Sequence, residues 1–162
     1  MSRRVALPAD HRRLTLAPGR PDNITNALAF VQRTLDAWTG GARPHAPDAR
    51  RTYDDIVLVV CELVANACAH TSGPTGLDLD LDPAGGRVVV AVTDTGPGSL
   101  RAGGPYKPGL PYGRGLDIVE RLAARWGHDP VPDDGKTVWA DLPAPPLTGP
   151  GAPGSPTRPS LP

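Results

Sequence analysis

The stretch IVLVVCELVANACA, residues 56–69, is apolar except for two residues, Glu62 and Asn66. Its length and composition predict a helix that is buried on nearly every side. Residues four apart lie on the same helix face, so the carboxylate and the amide point into the same space. A buried carboxylate is costly unless something pairs with it. The pair therefore predicts either a polar helix edge that contacts water, or a site in which Glu62 accepts a proton and Asn66 offers its amide oxygen to a metal ion.

The composition indicates a single soluble domain with a basic start and a proline-rich end. The chain has 162 residues and a formal net charge of zero, which argues against non-specific binding to nucleic acid or membranes. We expect a basic N-terminal arm over residues 1–13, a folded domain over 14–142 and a disordered Pro/Gly-rich tail over 143–162. No stretch has the character of a signal peptide or a membrane span, which predicts a cytoplasmic protein. The two cysteines, Cys61 and Cys68, are expected to be reduced core residues.

The order of predicted elements indicates the fold class. A strand is expected over residues 14–17 and a helix from Asp22 or Asn23 to Trp38, followed by a loop over 42–51 and the buried helix over 53–70. Further strands are predicted over 77–82 (with one wet face), 87–93 and 136–142, a lid-like loop over 99–112 and a helix over 114–126. This pattern predicts an α+β fold: a two-layer α/β sandwich with a mixed, mostly antiparallel sheet and helices on one face.

A second motif, Asp94-Thr-Gly-Pro-Gly98, ends the second hairpin strand. Its glycines, Gly96 and Gly98, let the backbone bend sharply and approach a flat ligand. A carboxylate at that position can accept a hydrogen bond from an exocyclic amine such as that of adenine. The alternative is an ordinary D-x-G turn that leaves a strand, which is common.

A third motif, Gly113-Arg-Gly-Leu116, opens the helix after the loop. A helix N-terminus has unpaired N–H groups and a positive dipole end, and glycines let phosphate oxygens come close. The alternative is a glycine-rich loop that merely leads into a helix. Neither a Rossmann fingerprint nor a Walker A loop surrounds it, because the parallel βαβ unit and the Lys-Ser/Thr pair are missing from the sequence.

The three motifs, in this order, resemble the N, G1 and G2 boxes of the GHKL family of ATP-binding proteins, whose fold gyrase B, MutL and histidine kinases share. The segment Gly135-Lys-Thr-Val-Trp139 resembles the last strand of RsbW-like anti-sigma-factor serine/threonine kinases. The resemblance covers about residues 14–142. It implies the Bergerat ATPase fold, with ATP and Mg²⁺ bound.

The resemblance also implies roles for individual residues. Glu62 would be the general base and Asn66 the magnesium ligand, while Asp94 would bind the adenine amine. The other residues that it places around the nucleotide are Gly96, Gly98, Gly113, Arg114, Gly115, Leu116 and Thr137.

The activity implied is phosphorylation of a STAS-type anti-sigma factor antagonist, together with sequestration of a sigma factor and possible homodimerisation. Two alternatives remain open from the sequence: a module that binds ATP and a protein partner without phosphotransfer, and a scaffold that binds no nucleotide.

Overall fold

The computed structural model describes residues 10–84, 86–95 and 114–147, with only the backbone of Arg114 included. Five strands and three helices are present in these residues. In chain order they are β1 (Asp10–Thr15), α1 (Asn23–Trp38), α2 (Pro47–His70), β2 (Pro74–Asp82), β3 (Arg87–Asp94), α3 (Arg114–Leu122), β4 (Arg125–Val131) and β5 (Gly135–Pro143).

The strands form one sheet in the order β1-β2-β3-β5-β4, and every pair of neighbours is antiparallel. The hairpin between β4 and β5 turns through Asp133 and Asp134, both with positive φ angles (64° and 58°). Aspartate tolerates this left-handed conformation better than most side chains, which suits it to a tight turn. The predicted α+β sandwich with a mostly antiparallel sheet is therefore confirmed.

The helices cover one face of the sheet and bury the main core against it. Alternate residues of β2 and β3, such as Leu79 and Val90, meet fully buried residues of α1 and α2, such as Leu35 and Val60. Each large aliphatic side chain removed from water in this way contributes about 1.5–3 kcal/mol. The second face of the sheet carries a small separate cluster of Val89, Ala91 and Trp139.

The aspartates of β2 do not form the wet strand face that the alternating sequence predicts. Asp78 and Asp80 are only 6% and 3% exposed, because Arg13 and His11 of the neighbouring strand lie against them. Arg13 donates two hydrogen bonds of 3.0 and 2.9 Å to the Asp78 carboxylate. Cross-strand charge pairing, which the strand's own sequence does not contain, explains the difference.

Several boundaries differ from the prediction. The helix expected from residue 53 begins at Pro47, since proline is well accommodated in a first turn and Asp48 complements the dipole there. β1 starts at Asp10, so residues 10–13 belong to the sheet rather than to the predicted arm. The helix predicted to reach residue 126 ends at Leu122, and the unpredicted strand β4 follows. Its Pro130 is tolerated because β4 is an edge strand.

Both cysteines are unpaired, as expected, but neither is a core residue. Cys61 is half-buried and Cys68 is exposed. Among the described residues, no helix combines the length and the apolar character that crossing a membrane requires.

Tyr53 links α2 to α1, and we expect the variant Tyr53→Phe to be destabilised by about 1 kcal/mol. The buried hydroxyl donates a hydrogen bond of 2.8 Å to Asp36 Oδ1, and burial followed by this carboxylate raises the pKa of Tyr53. A raised pKa means that the contribution is fully present below the ordinary tyrosine pKa of about 10 and is lost as the pH rises further. Urea unfolding of both proteins at neutral and alkaline pH measures this; equal stabilities at neutral pH would contradict it.

Candidate nucleotide site

Glu62 and Asn66 lie on a flank of α2, beside the face that the helix buries in the main core. The fully buried residues of the helix include Val59, Leu63 and Ala67, whereas Glu62 and Asn66 are each half-buried. The helix is therefore not buried on nearly every side, as its composition predicts, because Leu58 and Cys68 are exposed and the flank with Glu62 and Asn66 is only half-buried. A carboxylate on such a flank remains accessible to a ligand without bearing the full cost of burial.

The first turn of α3 closes over that flank. Val119 is fully buried in the core and fixes α3 against the rest of the molecule. Gly115 lies four residues earlier and therefore on the same helix face. A side chain at position 115 would point directly at α2.

The absence of that side chain brings the third sequence motif into contact with the first. A Cβ atom built on Gly115 would lie 2.6 Å from Glu62 Oε2, 3.1 Å from Asn66 Nδ2 and 3.3 Å from Asn66 Oδ1. Leu116 follows in the same turn and is half-buried. The structure thus brings Glu62, Asn66 and Gly115 together at a helix N-terminus, where a positive dipole end favours anionic oxygens.

Glu62 also affects its neighbour in the sequence. Burial, and secondarily the charge of the Glu62 carboxylate, raises the pKa of the Cys61 thiol. The thiol therefore stays protonated at neutral pH and is a poor nucleophile.

Asp94 forms the second corner of the site. It ends β3 on the helix-covered face of the sheet, directly opposite Lys136 of β5 in the register. Lys136 Nζ donates a hydrogen bond of 2.8 Å to Asp94 Oδ2, with both side chains largely buried (11% and 3% exposed). The other carboxylate oxygen, Oδ1, is buried and accepts no hydrogen bond from the described residues.

Gly135 allows this corner to form. A Cβ atom at this position would lie 2.3 Å from the backbone oxygen of Asp94 and 2.9 Å from Val131 Cγ2. Contacts this short do not occur between real atoms, so only glycine lets the start of β5 approach the end of β3 so closely.

Both corners lie at the same end of the molecule. The loop after α2 is tied to the residue after Asp94 by two backbone hydrogen bonds: Ser72 N–H to Thr95 O (3.1 Å) and Thr95 N–H to Gly73 O (3.3 Å). Asn66 lies on the last turn but one of α2. The predicted general base (Glu62), metal ligand (Asn66) and adenine acceptor (Asp94) consequently share one end of the sandwich.

Thr137 lies apart from the other predicted site residues. It pairs with Thr93 in the register, and the two hydroxyl oxygens are 2.9 Å apart. Successive residues of a strand point to opposite faces, so Thr137 lies on the face opposite Asp94. The residue that shares the face of Asp94 is Lys136, which the sequence did not indicate as a site residue. Lys136 directly precedes Thr137, but only the strand register shows which of the two lies opposite Asp94.

Some predicted positions lie outside the described residues. These are Gly96, Gly98, Gly113, the side chain of Arg114, the loop over 99–112 and residues 1–9 and 148–162. Their predicted roles stay predictions.

The described residues fit a nucleotide with its metal. A buried carboxylate oxygen without a partner is an unsatisfied acceptor, which the amine of adenine would satisfy. No group of three or more His, Cys, Asp or Glu side chains in the described ranges could hold a metal ion alone. Magnesium is usually held by few protein ligands together with phosphate oxygens, and Asn66 would be the protein ligand here.

A comparison with protein families agrees with this geometry: the sequence model of the histidine kinase-like ATPase domain matches residues 17–141. The chain belongs to the histidine kinase-like ATPase family. It is thus a GHKL-type, ATP-binding domain, and the family includes ATP-dependent kinases. No curated protein matches the chain.

We expect the variant Gly115→Ala to weaken ATP binding and leave folding almost unchanged. The added methyl meets the movable ends of the Glu62 and Asn66 side chains, so these groups shift rather than the backbone. Alanine also favours the helix by up to about 1 kcal/mol, which offsets the contact. Calorimetric titration with ATP and magnesium should show that the affinity for ATP falls roughly tenfold or more. The loss of one hydrogen bond to a charged group has an effect of this size. Unchanged affinity would contradict the assignment, and Glu120→Ala, at an exposed position of the same helix, is the control.

The variant Gly135→Ala should behave differently, because its methyl meets backbone that cannot move freely. We expect a loss of about 2 kcal/mol of stability, in the range found for overpacked sites, together with weaker ATP binding. Urea unfolding compared with Gly115→Ala checks this. Equal stability of the two variants would show that the strands separate without cost.

Proposed function

We propose that the protein is an anti-sigma-factor-type protein serine/threonine kinase. It binds ATP with Mg²⁺, phosphorylates a STAS-type anti-sigma factor antagonist and sequesters a sigma factor. This proposal goes beyond the family assignment in its protein partners and in its serine/threonine specificity.

The proposed reaction is a phosphoryl transfer from ATP to a hydroxyl group of the antagonist. A serine or threonine hydroxyl of the antagonist attacks the γ-phosphorus of ATP, and Glu62 takes the hydroxyl proton. An oxygen–phosphorus bond forms to the partner while the bond between the γ-phosphorus and the bridging oxygen breaks, and ADP leaves. Bound magnesium, held by Asn66, would supply the positive charge that phosphoryl transfer requires.

One observation carries the kinase proposal: the Glu62 carboxylate lies beside the N-terminal turn of α3. The 2.6 Å separation between Glu62 Oε2 and the position of a Cβ on Gly115 supports a role as proton acceptor, because a helix N-terminus of this kind can bind the phosphates of a nucleotide. A carboxylate with only a structural role would be expected to pair with a cation. Glu62 makes no ion pair with any side chain in the described ranges.

A second candidate function is an ATP-binding module that captures a protein partner without phosphotransfer. It is favoured by the independence of the two corners, because the Asp94–Lys136 pair lies on different elements from Glu62. Recognition of adenine at Asp94 would not require catalysis at Glu62.

The test uses the protein, labelled ATP and a purified cognate STAS-domain protein. Wild-type protein should transfer label to the STAS protein. Glu62→Gln should reduce the rate by about a hundredfold or more, the contribution usual for a general base, while the dissociation constant for ATP changes little. Asn66→Ala should weaken magnesium-dependent ATP binding as well.

Glu120→Gln is the matched control, since it removes the charge of an exposed glutamate of α3. It should phosphorylate at the wild-type rate. Normal phosphotransfer by Glu62→Gln would show that another group is the base. ATP binding without any phosphotransfer by the wild type, with a sigma factor still captured, would favour the binding module.

A further inference from the structure

We propose that Lys136 is a positioning residue that determines the preference of the site for a base with an exocyclic amine. It does so by occupying one oxygen of Asp94 and leaving the other as a single, oriented acceptor. The proposal rests on ATP binding at Asp94 and deepens the proposed function, because it concerns the selection of the nucleotide.

The first observation is the geometry of the pair. Nζ of Lys136 lies 2.8 Å from Oδ2 of Asp94, and cross-strand register places the two residues directly opposite each other. A carboxylate can rotate about its last bond, so its two oxygens are equivalent unless a neighbour distinguishes them. The ammonium group makes that distinction.

The second observation is the state of the remaining oxygen. Oδ1 of Asp94 is buried and has no hydrogen-bond donor among the described residues, whereas buried polar atoms nearly always have one. A negatively charged acceptor in this condition favours a ligand N–H and disfavours a ligand carbonyl oxygen. Adenine presents an amine at its six position, and hypoxanthine presents a carbonyl there.

The third observation is the contrast between this charged pair and the apolar pair next to it on the same face. Buried ion pairs are often replaced by apolar residues without loss of stability. The next cross-strand pair on the same face is Val92 with Val138, which packs in the main core. A third apolar pair would continue that pattern, so the charges at this position call for a role in the site.

The experiment measures binding of three nucleotides to the intact protein: ATP, purine riboside triphosphate (which lacks the amine) and inosine triphosphate. Wild-type protein should prefer ATP over purine riboside triphosphate by roughly ten- to a hundredfold, as expected for one hydrogen bond to a charged acceptor. Lys136→Met should reduce this preference to about threefold or less, while binding of purine riboside triphosphate itself changes little. In the same variant, the affinity for inosine triphosphate should rise relative to the affinity for ATP.

Equal losses for ATP and for purine riboside triphosphate in Lys136→Met would overturn the proposal, since the lysine would then act on the phosphates or on the fold. If that variant does not fold, Lys136→Leu replaces it. Its side chain has no donor for Oδ2 of Asp94, so it should also lose the preference. A preference retained by Lys136→Leu would likewise overturn the proposal.

Arg87→Met is the matched control. It breaks an ion pair with a buried aspartate, Asp141, on the other face of the same sheet (2.6 Å from Nε to Oδ1). This variant should lose stability but keep the base preference, which separates a general effect on the sheet from a local effect on Asp94. Loss of the preference in Arg87→Met would overturn the local role of Lys136.

The outcomes also separate this proposal from the kinase proposal. Wild-type protein that prefers ATP in the lysine-dependent way but transfers no phosphate supports the role of Lys136 and removes the kinase. If the wild-type protein phosphorylates its partner but Lys136→Met keeps the preference for ATP, the kinase proposal is supported and the role of Lys136 is removed.

Discussion

The contact between α2 and the first turn of α3 is the constraint on which the phosphate end of the site depends. Helices pack at distances set by the side chains between them. Here the residue at the crossing, Gly115, has no side chain, so the two elements approach until the Glu62 carboxylate fills the space that a methyl would occupy. Val119 anchors the same helix in the core. The Glu62 carboxylate is thereby held against a helix N-terminus by ordinary core packing.

The part of the candidate site around Asp94 depends on a buried ion pair rather than on helix packing. Asp94 is buried and compensated by a lysine, whereas Glu62 is half-buried and has no ionic partner in the part of the chain that the structure describes. A fixed, desolvated carboxylate suits recognition, because it accepts one hydrogen bond in one direction. A more solvated carboxylate can exchange a proton with less penalty. The two acids therefore differ in environment in the way that their proposed roles require.

Much of the fold was accessible from periodicity, and the exceptions have specific causes. The hairpin of β2 and β3 and the last strand were predicted within three residues, and the buried helix was predicted without its first six residues. β4 was missed because its sequence, with Gly127 and Pro130, has neither alternation nor strand-forming composition, and it pairs only as an edge strand. The buried aspartates of β2 were misread as solvent-facing, since their partners lie on β1, more than sixty residues earlier.

The sequence by itself determined the fold class and the pairing of Glu62 with Asn66, because both follow from local spacing along a helix. It also indicated Asp94 and Gly115 as candidates, through glycines placed where a strand ends and a helix begins. Only the tertiary structure decided that Gly115 touches Glu62 and Asn66, that Thr137 faces away from Asp94, and that Lys136 binds it. Those outcomes depend on helix packing and on strand register, and neither is encoded in the residues adjacent to the site.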